Sequence, residues 1–193
     1  MHTCHTTAMT MTKLTLVLLL VFPFLLAQPL AAQQQRGPTT VILVRHAEKA
    51  AMPASDPPLT KQGQRRARAL AELARDGGVT AIITTPYVRT RSTAAPAAEE
   101  LHLTLETVNP SAAETAKRIL AEHAGEVVLV VGHSNTVPAI VAALGASEPP
   151  SICDSEYDGL YVVTVPASGA AHVIRARYGE PSPVAAGCGR MKR

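Results

Sequence analysis

Val41-Ile42-Leu43-Val44-Arg45-His46-Ala47-Glu48-Lys49 is the stretch on which the reading of this chain turns. Four consecutive aliphatic residues with no polar alternation describe a strand buried on both faces, as strands of parallel sheets are. The run stops at Arg45-His46. A buried strand does not carry those two side chains in its middle without partners. At its C-terminal end it can, because ligands bind in the crevice outside that end in open α/β sheets. Taken alone, Arg45-His46 is no more than a polar strand end.

Working outward, a second run of the same kind occupies residues 127–131 and ends at Gly132-His133-Ser134-Asn135. Between the two lie alternating signals. A Pro- and Ser-rich loop at 50–58 leads to Leu59-Thr60-Lys61-Gln62-Gly63, with Thr60 placed to cap a helix. Ala67, Leu70, Ala71 and Ala74 recur at helical spacing, and Arg65, Arg66, Arg68, Glu72 and Arg75 read as the solvated face. Gly77-Gly78 stops that helix. A strand at 79–84 follows, then an Ala-rich helix at 88–101 in which Pro96 should end or kink the turns. A strand at 103–108 precedes a helix at 111–123, where Ser111 and Glu114 stand at capping-box spacing. A fourth helix covers 136–144. Two last strands, 160–165 and 172–178, are joined by Ala167-Ser168-Gly169, so they must pair antiparallel.

The expected architecture is an α/β three-layer sandwich: a mostly parallel sheet, helices on both faces and an antiparallel edge hairpin. The domain spans residues 39–178. Residues 179–193, rich in Gly and Pro with a basic end, read as a flexible C-terminal tail.

Residues 1–32 are set apart. An apolar run at 14–27, with small residues near Ala32, follows the pattern of a secretory signal peptide. The run is broken by Pro23 and is short against the roughly 20 residues of a membrane span, so an uncleaved anchor is the weaker alternative. Residues 33–38 are a polar lead-in. Without the first 32 residues, 17 Lys and Arg face 15 Asp and Glu, because Lys13 is the only charge lost. That balance is no nucleic-acid footprint. Both Phe residues leave as well, and with no Trp in the chain stacking platforms for bases or sugars are improbable. Export would place Cys153 and Cys188 in an oxidising compartment; an intramolecular bridge between them competes with free thiols or intermolecular pairing.

The chemistry follows from the strand ends. Neighbouring strands lie about 4.8 Å apart, so His46 and His133 fall within reach of one small ligand although 87 residues separate them. Thr85-Pro86-Tyr87-Val88-Arg89-Thr90, after the second strand, brings another arginine to the same edge. Two imidazoles and two guanidiniums around one crevice fit a tetrahedral oxyanion, which arginine can bind bidentately. Phosphate is the implied ligand. Zinc held by His46 and His133 is the rival, but neither His-Glu-x-x-His nor Cys-x-x-Cys is present to complete a site. His102, His123 and His172 read as surface residues.

Arg45-His46-Ala47-Glu48, Arg89-Thr90 with Ser92-Thr93-Ala94, and Gly132-His133-Ser134 together resemble the histidine phosphatase superfamily, also called phosphoglycerate mutase-like. Pro58-Leu59-Thr60-Lys61-Gln62-Gly63 resembles that family's loop-to-helix junction, and the likeness runs from about residue 39 to 178. The resemblance implies a phosphatase in which His46 attacks phosphorus and becomes phosphohistidine. Arg45, Arg89 and His133 would hold the phosphoryl oxygens, with no metal or cofactor required. It implies a phosphorylated small molecule or a phosphoprotein as partner. Some relatives carry Asp after the second histidine, where this chain has Ser134. The general acid is therefore Glu114, Glu48, Asp56 or none. Alternatives are a phosphate- or phosphopeptide-binding module of weak activity, and a phosphomutase. The interval between His46 and Arg89 is too short for a large cap domain, so an open, shallow site is expected.

Overall fold

The computed structural model describes residues 1–3 and 37–183, and the architecture below is that of the unit Gln35–Arg193. All but the first three residues of the expected signal peptide at 1–32, most of the lead-in, and residues 184–193 with Cys188 lie outside the described residues.

Ten elements follow one another: β1 (Thr39–Arg45), α1 (Lys61–Asp76), β2 (Ala81–Thr84), α2 (Val88–Leu101), β3 (Leu105–Thr107), α3 (Ala112–Glu122), β4 (Val127–Gly132), α4 (Thr136–Ala143), β5 (Gly159–Val165) and β6 (His172–Arg177). The six strands form one sheet in the order β3-β2-β4-β1-β5-β6. Pairing is parallel from β3 through β1, and antiparallel where β5 joins β1 and β6 joins β5. This is the expected mostly parallel sheet with an antiparallel hairpin at its edge.

Alternate residues of each central strand face opposite layers, as strand geometry requires. Val41, Leu43, Val128 and Val130 pack with Ile119 of α3 and Val137, Ile140 and Val141 of α4. Ile42, Val44, Leu129 and Val131 pack with Leu70 and Ala74 of α1 and Ala94 and Ala97 of α2. Unalternated aliphatic runs are thus explained by burial on both sides. Small Ala side chains on α1 and α2 let these two helices lie close to the sheet and to each other.

Five expectations need correction. Pro96 neither ends nor divides α2, which runs through it to Leu101 and closes on a left-handed His102 at φ 56°. Buried Thr93, Ala94, Ala97 and Ala98 on both sides of the proline anchor that helix, so packing overrides one lost backbone bond. The third strand is shorter than 103–108 because the Leu103 amide donates to Ala98 O and so belongs to the helix cap.

Arg66 is not on a solvated face. It is buried, and it donates to both Glu48 carboxylate oxygens at 2.7–3.0 Å, to Tyr178 O and to Glu180 O. The segment expected to be mobile from residue 179 is accordingly held at its start, and Ser182 Oγ accepts from the Tyr157 and Asp158 amides. Nor is His123 a free surface residue. Its ring lies between Glu126 (2.9 Å) and Glu106 (3.1 Å), fastening the end of α3 to β3 and to the start of β4.

The Arg66–Glu48 pair fixes the loop that follows β1. Glu48 O also accepts from Thr60 N, and Gly63 packs so closely on this carbonyl that any side chain there would collide with it. Truncating one member of such a pair leaves an uncompensated buried charge. Glu48→Ala is therefore expected to cost about 3–5 kcal/mol in urea unfolding; an unchanged midpoint would show that the pair does not hold the loop. Burial alone would lower His123, but its hydrogen bonds to Glu126 and Glu106 raise it above its ordinary value. Its contribution is fully present below the unfolded pKa of about 6.5 and fades as pH rises through the folded value. His123→Gln should remove that part of the pH dependence of the melting temperature, and parallel profiles for the two proteins would refute it.

Candidate active site

Three parallel strand ends stand side by side. The register pairs Arg45 with Gly132 and Thr84 with Val131, and the His46 amide donates to Gly132 O at 2.9 Å. The residues just beyond β1, β4 and β2 are His46, His133 and Thr85, so the sequence separation vanishes in space. The two histidine rings lie edge to face with centroids 5.7 Å apart. Arg45, His46, Arg89 and His133 line one open crevice of about 370 Å³, with Lys49, Tyr87, Asn135 and Asp154 around them. All four residues picked from the sequence are thus brought together.

His46 is nearly fully buried, and its Nδ1 lies 2.8 Å from Ala47 O. A carbonyl can only accept, so Nδ1 carries the proton and Nε2 keeps its lone pair. Burial, with Arg45, His133 and Arg89 adding to it against the opposing Ala47 hydrogen bond, lowers the ring to about 3. The imidazole is neutral at any ordinary pH, with one unprotonated nitrogen. His133 is lowered to about 4, again by burial first and then by Arg89 and Arg45. Its Nε2 lies 3.0 Å from Thr85 Oγ1.

The arginines are positioned from several elements. Arg45 Nη1 donates to the carbonyls of Cys153, Asp154 and Glu156 at 2.8–3.1 Å, and its guanidinium lies 4.4 Å from the Tyr157 ring centre. Arg89 stacks 4.2 Å from the Tyr87 ring centre and reaches Asp56 at 3.5 Å. Nε of each arginine is buried without a hydrogen-bond partner. Buried donors are normally satisfied, so these two are ready to meet an added acceptor. Thr93 ties the pieces together: it donates to Arg89 O and accepts from the Ala47 amide.

None of the three acid candidates lines the crevice. Glu48 is committed to Arg66. Asp56 accepts from the Val88 amide with both oxygens at 3.0 Å, closing the N-terminus of α2, as well as contacting Arg89. Glu114 is exposed and lines a different groove, with Lys117 and Arg118; its amide is capped by Ser111. The carboxylate that does line the crevice is Asp154, fully exposed and 3.6 Å from Arg45. It lies in an irregular loop with no periodic pattern, so the sequence carried no signal for it. Tyr87 and Tyr157 as stacking partners of the arginines were likewise not foreseen. Cys153, which supplies one of the Arg45 acceptors, is disulfide-bonded, and its partner lies outside the described residues. Among the described residues, the group with spacing suited to a metal is Glu106, Glu122 and His123, interrupted by Arg118.

A sequence model of the histidine phosphatase superfamily (branch 1) matches residues 41–110, which include Arg45, His46 and Arg89 but stop short of His133. No curated protein matches the chain. Among solved structures, the protein histidine phosphatase SixA complexed with tungstate is similar at 22% identity and TM-score 0.60, over 72% of this chain and 96% of that one. Bacillus stearothermophilus YhfR is similar at 19% identity and TM-score 0.58, over 70% and 95%. A mycobacterial glucosyl-3-phosphoglycerate phosphatase, Rv2419c, is similar at 14% identity and TM-score 0.53, over 66% and 90%. At these identities the structures speak to the fold. The match over residues 41–110 and the shared α/β architecture make this chain similar to the histidine phosphatase superfamily, with a phosphoglycerate mutase-like fold.

Proposed function

We propose that this chain is an exported phosphatase working through a phosphohistidine on His46. The observation that carries the reading is the state of His46: neutral, its proton held on Nδ1 by Ala47 O, its Nε2 lone pair left for the crevice between two guanidiniums. Nε2 would attack phosphorus in line with the leaving group. The P–N bond forms as the bond to the leaving group breaks. Water then attacks the phosphoenzyme and returns the electron pair to Nε2. Arg45, Arg89 and His133 would hold the equatorial oxygens, where charge gathers in the transition state. The unpartnered Nε donors of both arginines support that task. The guanidiniums supply positive charge, and no metal enters the scheme.

Glu48 and Asp56 are held in other contacts and Glu114 lines a different groove, so the leaving group receives little help from a buried acid. That favours substrates whose leaving group departs readily, such as an imidazole leaving from phosphohistidine. SixA, one of the proteins similar in fold, is named a protein histidine phosphatase. A shallow open crevice also suits a phosphoryl group presented on a protein. Export rests on the apolar run at 14–27 and fits a disulfide at Cys153, since such bonds persist in oxidising compartments.

His46→Ala should trap no acid-labile phosphoenzyme when a phosphorylated substrate is acid-quenched, and full turnover in that variant would end the nucleophile assignment. Arg89→Ala should lower kcat by about 10²–10³, as loss of one oxyanion donor does; a wild-type rate would remove it from the site. The two crevice histidines should show no NMR titration between about pH 5 and 8, where an ordinary histidine ionises. Because their folded values lie below the unfolded one, they contribute stability above about pH 6.5 that is lost as pH falls toward the folded values. A midpoint near 6.5 for His46 would contradict its burial as a neutral ring.

A further inference from the structure

Thr85 and Thr90 are buried next to His133 and do more than fill space. Thr90 is completely buried at the start of α2, and its hydroxyl has three oxygen neighbours: Thr85 Oγ1 at 2.8 Å, Thr85 O at 2.9 Å and Tyr87 O at 2.9 Å. Thr85 Oγ1 in turn lies 3.0 Å from His133 Nε2. Each hydroxyl owns one proton, and carbonyls own none. If Thr90 donates to Thr85 Oγ1, or Thr85 donates to His133, two of the four contacts carry no proton. If Thr90 donates to a carbonyl, Thr85 donates to Thr90, and His133 must donate its Nε2–H to Thr85. The second arrangement leaves only one oxygen contact without a proton, and in a buried cluster that decides the direction.

Neutral His133 then carries its proton on Nε2 and turns the lone pair of Nδ1 toward the crevice. It stands opposite to His46, whose proton is on Nδ1. A lone pair cannot donate to a fully ionised phosphoryl oxygen. We propose that Thr85, relayed through Thr90, is a positioning residue that fixes this tautomer of His133, so that the site takes up phosphoryl groups carrying one proton, shared between a phosphoryl oxygen and Nδ1. The proposal rests on the phosphatase reading for its meaning, but not for its test. Whether the shared proton lies nearer oxygen or nitrogen, one proton enters with each phosphoryl dianion, and it is then at hand within the crevice. The groups facing His133 are His46, Tyr87, Arg45 and Arg89, with Lys49 and Asp154 along the same crevice. The two guanidiniums are permanently charged and cannot accept the proton in its place, and the free nitrogen of His46 is the one that meets phosphorus in the phosphatase reading.

Inorganic phosphate is the probe, titrated calorimetrically into the purified protein across its second ionisation. Uptake with one proton predicts that affinity falls about tenfold per pH unit above that ionisation. Thr85→Val, which removes the acceptor for Nε2–H at equal volume, should flatten the slope, and Thr85→Ser should keep it. Long-range proton–nitrogen NMR correlations of His133 in the phosphate-free protein should assign the proton to Nε2. A proton on Nδ1, a flat parental slope, or an unaltered slope in Thr85→Val would overturn the proposal. Should the valine variant fail to fold, the parental tautomer and slope decide between the outcomes. Failure of the phosphatase reading shows up separately, as the lack of an acid-labile phosphoenzyme.

Discussion

The register of β1 against β4 is the constraint on which everything else depends. Arg45 pairs with Gly132, and the His46 amide donates to Gly132 O, so the ladder ends on both strands at the same height. A shift by one residue would turn every side chain of β1 to the other layer, exchanging Val41 and Leu43 with Ile42 and Val44. Because both faces of β1 are buried, burial alone would tolerate that shift better than a one-faced strand would. The polar termini break the degeneracy. Only this register leaves Arg45 beside the 153–156 carbonyls and His46 beside His133.

Gathering cations at one strand edge is costly unless something opposes their repulsion, and in this chain the opposition is mostly uncharged. Arg45 is held by three main-chain carbonyls and the face of Tyr157, and Arg89 lies against the face of Tyr87. Aromatic faces attract guanidiniums without accepting their hydrogen bonds. Carboxylates near the crevice are fewer and peripheral: Asp154 is exposed, and Asp56 is shared with a helix end. The site thus keeps positive potential and unmet donors for an incoming anion. The same potential, added to burial, drives both imidazoles to neutrality. The electrostatics that attract an oxyanion and those that free a nitrogen lone pair are one arrangement.

Much of this was legible in the chain. Unalternated aliphatic runs named the buried strands, and their abrupt polar ends named the crevice. His133 was found because it directly follows a strand, and Arg89 because it lies just past the turn that follows another. What stayed hidden depended on contacts between distant segments. Asp154, Tyr157 and the His123 cluster acquire their roles from neighbours that no local pattern announces. Arg66 is different, since a signal was present. It falls on the same helical face as Gly63, Leu70 and Ala74. An arginine in phase with an apolar stripe should have been read as a buried partner for a nearby acid, and Glu48 in the preceding loop was available.

The two crevice histidines show how much of a site's chemistry lies beyond residue identity. Both are buried and neutral, and both lie against the same arginines. Yet a main-chain carbonyl holds the proton of one on Nδ1, and a threonine relay draws the proton of the other to Nε2. Each ring therefore offers the crevice an unprotonated nitrogen. For His46 that nitrogen can form a bond to phosphorus. For His133 it can only hold a proton that the ligand brings. With Glu48 and Asp56 fixed in structural contacts, the proposed uptake would bring a proton that neither carboxylate supplies. On the proposed reading, the scarcity of buried free carboxylates and the unlike tautomers of two like residues are one feature: the ligand's own phosphoryl group would supply the proton.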